Sequence, residues 1–319
     1  MGNWRQIQLQ NFTNWEKLLQ FLEFSDHSFI LKNPKFPLNL PFRLASKIEK
    51  NNINDPILKQ FLPSLLELEE KKGFTLDPVQ DGVFRKENKL LHKYEGRALL
   101  VCTSACAMHC RYCFRKNFDY DTKEKSFEKE LELIRADTSL AEIILSGGDP
   151  LSLSNERLEA LLKELSSIAH IKKIRFHSRF PIGIPERIDE ELLHILEKMR
   201  PQIVFIIHTN HPKELDADIF TALKKLQKLG ILLLNQSVLL KDVNNNVATL
   251  KELSEKLTDQ GILPYYLHQL DKVAGSSHFE VDPDQGAILI KKLMAILPGY
   301  AVPKYVQEMP GEAHKTPLF

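Results

Sequence analysis

The sequence predicts an α/β fold, a partial, open (β/α)6 TIM-like barrel of parallel strands with its helices outside. Three observations lead there. Six short apolar, β-branched runs occur at 97–103, 142–146, 173–177, 203–208, 231–238 and 264–268. Each is followed by a charged segment of helical period, at 127–136, 155–168, 186–198, 212–229, 247–260 and 283–297. Strand-plus-helix units repeated at about 30-residue spacing argue for a parallel sheet. Right-handed crossovers then leave an open doubly wound sheet or a barrel-like curl, and six units fall short of the eight that close a barrel.

The third observation is where the polar residues fall. Parallel α/β folds place functional groups beyond the C-terminal ends of their strands. A cysteine-rich loop follows the first run, and Gly147-Gly148-Asp149-Pro150 follows the second. His177-Ser178-Arg179 ends the third, and His208-Thr209-Asn210-His211 the fourth. Asn235-Gln236-Ser237 lies on the fifth, and His268-Gln269 with Asp271 ends the sixth. Ahead of this core, residues 1–95 read as a helical N-terminal region. Apolar residues recur at helical spacing over 14–24 and 55–72, with Pro34, Pro37 and Pro41 between them. The expected organisation is therefore 1–95, a core over 96–300, and a short C-terminal segment over 301–319.

Composition narrows the class. Of 319 residues, 43% are hydrophobic and 27% charged, ordinary for a soluble globular chain. Lysine plus arginine (43) nearly balance aspartate plus glutamate (42), so no global field points to nucleic acid or an anionic membrane. No apolar run approaches the roughly 20 residues of a membrane span. The opening MGNWRQIQLQNF lacks a secretory layout, and Gln6 breaks a myristoylation motif. A cytoplasmic location is expected.

All four cysteines, 102, 106, 110 and 113, lie within twelve residues. A disulfide scaffold spreads its cysteines, whereas crowding into one loop reads as metal ligation. Cys106, Cys110 and Cys113 supply three thiolates, one fewer than a 4Fe–4S cluster usually takes. Three ligands leave one iron open, where the amino and carboxylate groups of S-adenosylmethionine can chelate. An electron from such a cluster cleaves the cofactor to a 5′-deoxyadenosyl radical. Tyr112 is an aromatic residue suited to packing near the adenine. The competing reading is a zinc knuckle, which would need Cys102 or His109 as a fourth ligand. Cys102 sits on the strand and reads as a small buried hydrophobe, and the βα context favours the cluster. Gly147 and Gly148, with Asp149 beside them, would let backbone approach the amino and carboxylate end of the cofactor.

The run Cys113-Phe114-Arg115-Lys116-Asn117-Phe118 is one of several that carry a resemblance. With Ser146-Gly147-Gly148-Asp149-Pro150, Asn235-Gln236-Ser237-Val238-Leu239-Leu240 and Lys315-Thr316-Pro317, it resembles the lysine 2,3-aminomutase family of radical S-adenosylmethionine enzymes, over about 90–316. Finer features resemble the branch that modifies elongation factor P. They are Leu91-His92-Lys93-Tyr94-Glu95-Gly96-Arg97, Tyr265-Tyr266-Leu267-His268 with Asp271, and Glu308-Met309-Pro310-Gly311-Glu312.

The resemblance implies an isomerase that converts (S)-α-lysine to (R)-β-lysine using a 4Fe–4S cluster, S-adenosylmethionine and pyridoxal 5′-phosphate. It implies Cys106, Cys110 and Cys113 as cluster ligands and Lys315 as the lysine that carries pyridoxal phosphate. Tyr94 would lie near the pyridoxal ring, with Lys93 and Arg97 near its phosphate. Arg115 would hold the substrate carboxylate, which suits a bidentate fork, and Asp271 and Glu308 its distal ammonium. His208 and Gln236 join Gly147, Gly148 and Asp149 near S-adenosylmethionine. The implied partners are a flavodoxin- or ferredoxin-type electron donor and a lysyl-tRNA-synthetase-like ligase that passes β-lysine to elongation factor P.

Two departures stand out. Glu308 replaces the aspartate of many free-lysine aminomutases, which changes the reach to the ammonium by about one methylene and shifts affinity. Four residues follow Lys315, with none of the C-terminal metal-binding cysteines of larger relatives, so their zinc and tetrameric state are not expected here. The alternatives are a radical S-adenosylmethionine enzyme without pyridoxal phosphate, an aminomutase for another amino acid such as glutamate, and a metal-stabilised binding module.

Overall fold

The computed structural model describes residues 4–120 and 124–319. One ten-stranded sheet organises it, with strands neighbouring in chain order. An antiparallel pair, β1 (Arg85–Glu87) and β2 (Leu90–Tyr94), leads into β3 (Arg97–Thr103). Then come β4 (Glu142–Gly147), β5 (Lys173–Ser178), β6 (Gln202–Ile207), β7 (Leu232–Val238) and β8 (Leu263–His268). A short β9 (Lys304–Gln307) extends the parallel series, and β10 (Thr316–Pro317) turns back antiparallel on it. The helices α1 (Glu128–Ala136), α2 (Asn155–Ser167), α3 (Glu190–Glu197), α4 (Ala217–Lys228), α5 (Val247–Thr258) and α6 (Pro283–Met294) make the crossovers.

The six expected strand–helix units are present, each within a few residues of its predicted bounds. The series nevertheless contains seven parallel strands, because Lys304–Gln307 pairs with β8 in what reads as tail. The N-terminal region is also less helical than predicted. Residues 55–72 form a helix only over Pro56–Phe61, since Pro63 cannot continue it, followed by one 3-10 turn at Leu65–Leu68. Residues 14–24 give Trp15–Phe21, capped by the Asn14 side chain.

Alternation along the strands separates two faces. On β5, Ile174 and Phe176 are buried against the helices while Arg175 and His177 are half-buried on the other face. Five of these six helices begin where an N-cap side chain satisfies a free N–H group. Ser154, Asp189, Asp216, Asn246 and Asp282 each accept a backbone N–H from the first turn of α2 to α6. The main core joins the outer sheet face, the helices and the N-terminal segment through residues such as Leu18, Leu40, Phe61, Leu145, Phe176, Leu162 and Leu223. A smaller core under α6 includes Leu267, Ile290, Leu293 and Tyr305. Gly286 permits that packing, because a Cβ there would lie 2.1 Å from the Tyr305 hydroxyl.

The sheet curls towards closure. Tyr94 at the end of β2 donates its hydroxyl to Glu308 just past β9, at 2.5 Å. Strands far apart in sheet order thus meet in space, as a barrel-like curl requires. The half-polar inner face consequently encloses a central space whose C-terminal rim carries the chemistry.

Candidate active site

The cysteine loop leaves the C-terminal end of β3 and is gripped from two sides. From the N-terminal segment, the side-chain amides of Gln8 and Asn39 donate to the Cys106 carbonyl, both at 3.3 Å, and Asn11 donates to that of Ala107 at 2.8 Å. The backbone N–H of Arg111 bonds to the Gln60 carbonyl at 2.9 Å. The Arg111 side chain, 1% exposed, forks onto Glu67 at 2.8 and 2.5 Å and donates to the Phe36 carbonyl.

From the other side comes the turn after β4. Gly148 N–H bonds to the Thr103 carbonyl at 2.7 Å, and Asp149 N–H to that of Ala105 at 2.8 Å. A Cβ on Gly148 would lie 2.3 Å from the Ala105 oxygen, while Gly147 sits at φ +113. The glycines are therefore required by the close approach of the cysteine loop itself, not only by a ligand. The Asp149 carboxylate is fully engaged. It accepts from the Ser178 hydroxyl and from the backbone N–H groups of Leu151, Arg179 and Phe180. Burial still raises its pKa to about 6, against those donors. Asp149 ties the ends of β4 and β5 together, so its service to a ligand is through the loop it positions.

Cys106, Cys110 and Cys113 are free and half-buried. Burial, reinforced by neighbouring thiols, pushes Cys113 up to about 11 and Cys106 well above the ordinary thiol range. Raised thiols such as Cys106 and Cys113 become thiolates only when a cationic centre holds them, which fits a cluster. The two residues that could complete a zinc site are committed elsewhere. Cys102 is buried in the main core, and the His109 ring stacks on Phe36 and bonds to the Pro37 carbonyl. Tyr112 is anchored through its hydroxyl, which receives Arg179 Nη1 and Asn210 Nδ2.

A second group gathers at the far rim. The pairing of β10 with β9 sets Thr316 opposite Gln307 and so holds Lys315 beside Glu308. Lys315 Nζ donates to Glu308 Oε2 and to His268 Nε2, both at 3.1 Å. His268 ends β8, and its burial holds its pKa well below the ordinary range, so its ring is neutral. Burial also lowers the Lys315 pKa, opposed by Glu308 and Asp271. Glu308 is additionally held by Lys93 at 2.6 Å and the Tyr94 hydroxyl, and the Lys315 charge together with these two donors brings it down to about 2 despite its burial. Arg97 stacks on the Tyr94 ring at 4.6 Å.

Asp271 contrasts with Glu308. Among the described residues its carboxylate has no hydrogen bond or ion pair, and burial raises its pKa to about 7. Lys315 opposes that rise, and the neighbouring Glu308 and Asp81 charges add to it. Arg115, buried after the cysteine loop, donates Nε to Asp81 at 2.8 Å and Nη1 to Ser146 at 3.2 Å. Its Nη2 has no partner among the described residues.

Between the two groups, His177 Nδ1 and His208 Nε2 lie 3.1 Å apart, both kept neutral by burial, His208 at about 3. Gln236 Oε1 is buried on β7 without a partner among the described residues, an acceptor left for a ligand. The residues expected from sequence thus fall into a cysteine end and a lysine end of one rim. Sequence reasoning assigned no part to Arg179, Glu214, Gln60 or His268. Of these only Arg179 and His268 carried a signal, their place at strand ends.

Similarity to known proteins matches this geometry. Residues 100–254 match the radical SAM superfamily. The L-lysine 2,3-aminomutase of Escherichia coli (strain K12) is 44% identical over 286 residues, 89% of this chain and 83% of that protein. That of Haemophilus influenzae is 40% identical over 320 residues, 98% and 95% of the two chains. That of Clostridium subterminale is 36% identical over 277 residues, 86% and 66% of the two. Enzymes of this kind use a 4Fe–4S cluster and S-adenosylmethionine. With three thiols at the end of β3 and an amine–carboxylate network across the rim, the chain belongs to the L-lysine 2,3-aminomutase family of radical S-adenosylmethionine isomerases.

Proposed function

We propose that the chain converts (S)-α-lysine to (R)-β-lysine, and that the product is destined for elongation factor P through a lysyl-tRNA-synthetase-like ligase. The observation that carries the substrate reading is the Asp271 carboxylate beside Glu308 with Arg115 Nη2 on the same rim, both without a partner among the described residues. A carboxylate at one end and an ammonium at the other complement that pattern. An anionic side chain such as glutamate's would meet two acids. The acceptor rests on the resemblance of 91–97, 265–271 and 308–312 to the elongation-factor branch.

In this reading Cys106, Cys110 and Cys113 would hold the cluster, which would bind S-adenosylmethionine. His208 and Gln236 line that cofactor, and Gly147, Gly148 and Asp149 set the loop around it. Lys315 binds pyridoxal phosphate, with Tyr94 against its ring and Lys93 and Arg97 towards its phosphate. Bound together, the cofactors supply a 5′-deoxyadenosyl radical and a π-system for the migrating amine. The protein's own part is to orient and to manage protons. Lys315 must be uncharged to act as a nucleophile, a form that its burial favours by lowering its pKa. A flavodoxin- or ferredoxin-type protein would deliver the electron, in the cytoplasm. No helix among the described residues is long and apolar enough to cross a membrane. We take 96–300 as the radical core and 301–319 as the segment that brings Lys315 to it, with 1–95 bracing the cysteine loop.

The test is anaerobic. Reduced, cluster-loaded protein with lysine, S-adenosylmethionine and pyridoxal phosphate should form β-lysine, and its absence would refute the reading. A visible pyridoxal absorbance band should vanish in Lys315→Ala. A band that persists would remove Lys315 from the role. Supplying the ligase and elongation factor P should then move β-lysine onto the factor.

A further inference from the structure

A buried charge network stands directly behind the cysteine loop. Arg179, 7% exposed, donates Nη2 to Glu214 Oε2 at 2.7 Å and to Gln60 Oε1 at 2.8 Å. Glu214 is fully buried, and its other oxygen takes Gln60 Nε2 at 3.1 Å and the N–H groups of Asn210 and His211 at 3.0 Å. The guanidinium also lies over the Phe61 ring at 4.8 Å. It is thus fixed by the end of β5, the segment after β6 and the N-terminal Pro56–Phe61 helix. Its remaining arm, Nη1, reaches the Tyr112 hydroxyl and comes within 2.8 Å of Cys110 Sγ.

A buried ion pair with Glu214 would satisfy the charge alone. It does not explain an N–H aimed at a sulfur. We propose that Arg179 is a positioning residue for the iron–sulfur cluster, orienting Cys110 and raising the cluster's reduction potential through an N–H···S contact. Reduction adds negative charge to a cluster already ligated by three thiolates. A fixed donor and positive charge at one sulfur, in a low-dielectric site, therefore stabilise the reduced form more than the oxidised one. The inference rests on the three cysteines being the cluster ligands and is independent of the substrate.

The experiment is an EPR-monitored redox titration of the full chain, reconstituted anaerobically without S-adenosylmethionine. The variants are Arg179→Lys and the pair Arg179→Gln with Glu214→Gln, which leaves no unpaired buried charge. At matched iron and sulfide content, the double variant should show at least a tenfold lower reduced-to-oxidised ratio at a given potential, 59 mV for a one-electron couple. An unchanged midpoint in a fully loaded variant overturns the proposal. The wild type gives a second measurement that needs no variant to load. With guanidinium-15N arginine, its reduced cluster should show a 15N hyperfine coupling, and the absence of one overturns the proposal equally. Zinc without sulfide would overturn the ligand assignment and this inference together. A midpoint shift in protein that makes no β-lysine would support it while refuting only the substrate reading.

Discussion

Asp271 offers the sharpest test of substrate recognition. Its carboxylate is unpaired, and burial raises its pKa to about 7. In the proposed reading an incoming lysine brings its distal ammonium to the ionised form, so a proton and the substrate compete for the same oxygens. A raised carboxylate pKa means that binding is intact above that value and lost as the pH falls through it. Between pH 8 and pH 6 the ionised fraction falls from about nine-tenths to about one-tenth, so kcat/KM for lysine should drop roughly tenfold. The lysine ammonium stays charged throughout, with a pKa of about 10.4. In Asp271→Asn the charge-assisted bond is gone at every pH, and kcat/KM should fall on the order of tenfold to hundredfold at pH 8. The assay is initial β-lysine formation by protein loaded with cluster and pyridoxal phosphate, from pH 6 to 8. The reasoning fails if the Asn variant keeps the wild-type fall towards pH 6, because the titrating group would then lie elsewhere.

Three further outcomes are expected. Glu308→Asp withdraws the carboxylate by one methylene from Lys93, Tyr94 and Lys315, so the KM for lysine should change several-fold. An unchanged KM would count against a substrate contact. Gly148→Ala drives a Cβ to 2.3 Å from the Ala105 oxygen and must displace the cysteine loop. Reconstituted iron per chain should fall by half or more, and wild-type iron content would show that the loop can yield. Cys102→Ala removes only a buried sulfur, so iron content should hold while stability drops by about 1 kcal/mol in a denaturant titration. Loss of iron would make Cys102 a ligand.

Much of the scaffold was legible because parallel strands and crossover helices write themselves into local periodicity. Arg97–Thr103 and its five successors are apolar runs bounded by polar residues, and the helices carry capping side chains at their starts. β9 escaped because four residues, Lys-Tyr-Val-Gln, carry too little alternation to stand out. In the N-terminal region, short helices take their stability from packing on the core rather than from their own pattern. The site was legible where spacing encodes chemistry, as in the cysteines, and where resemblance supplied Lys315 and its neighbours. Arg179 was not, since its meaning depends on Glu214, 35 residues away, and Gln60, 119 away. The partition of the two acids was equally invisible. Only the folded rim shows Glu308 saturated and Asp271 bare.

That partition has a consequence for the order in which ligands enter. Glu308 holds two ammonium groups, those of Lys93 and Lys315. In the proposed reading, pyridoxal phosphate would take up Lys315 and Lys93, which would leave Glu308 free to join Asp271. Cofactor and substrate would then be linked thermodynamically, each binding more tightly in the other's presence. A lysine analogue lacking the α-amine, such as 6-aminohexanoate, would report that linkage without touching the cofactor.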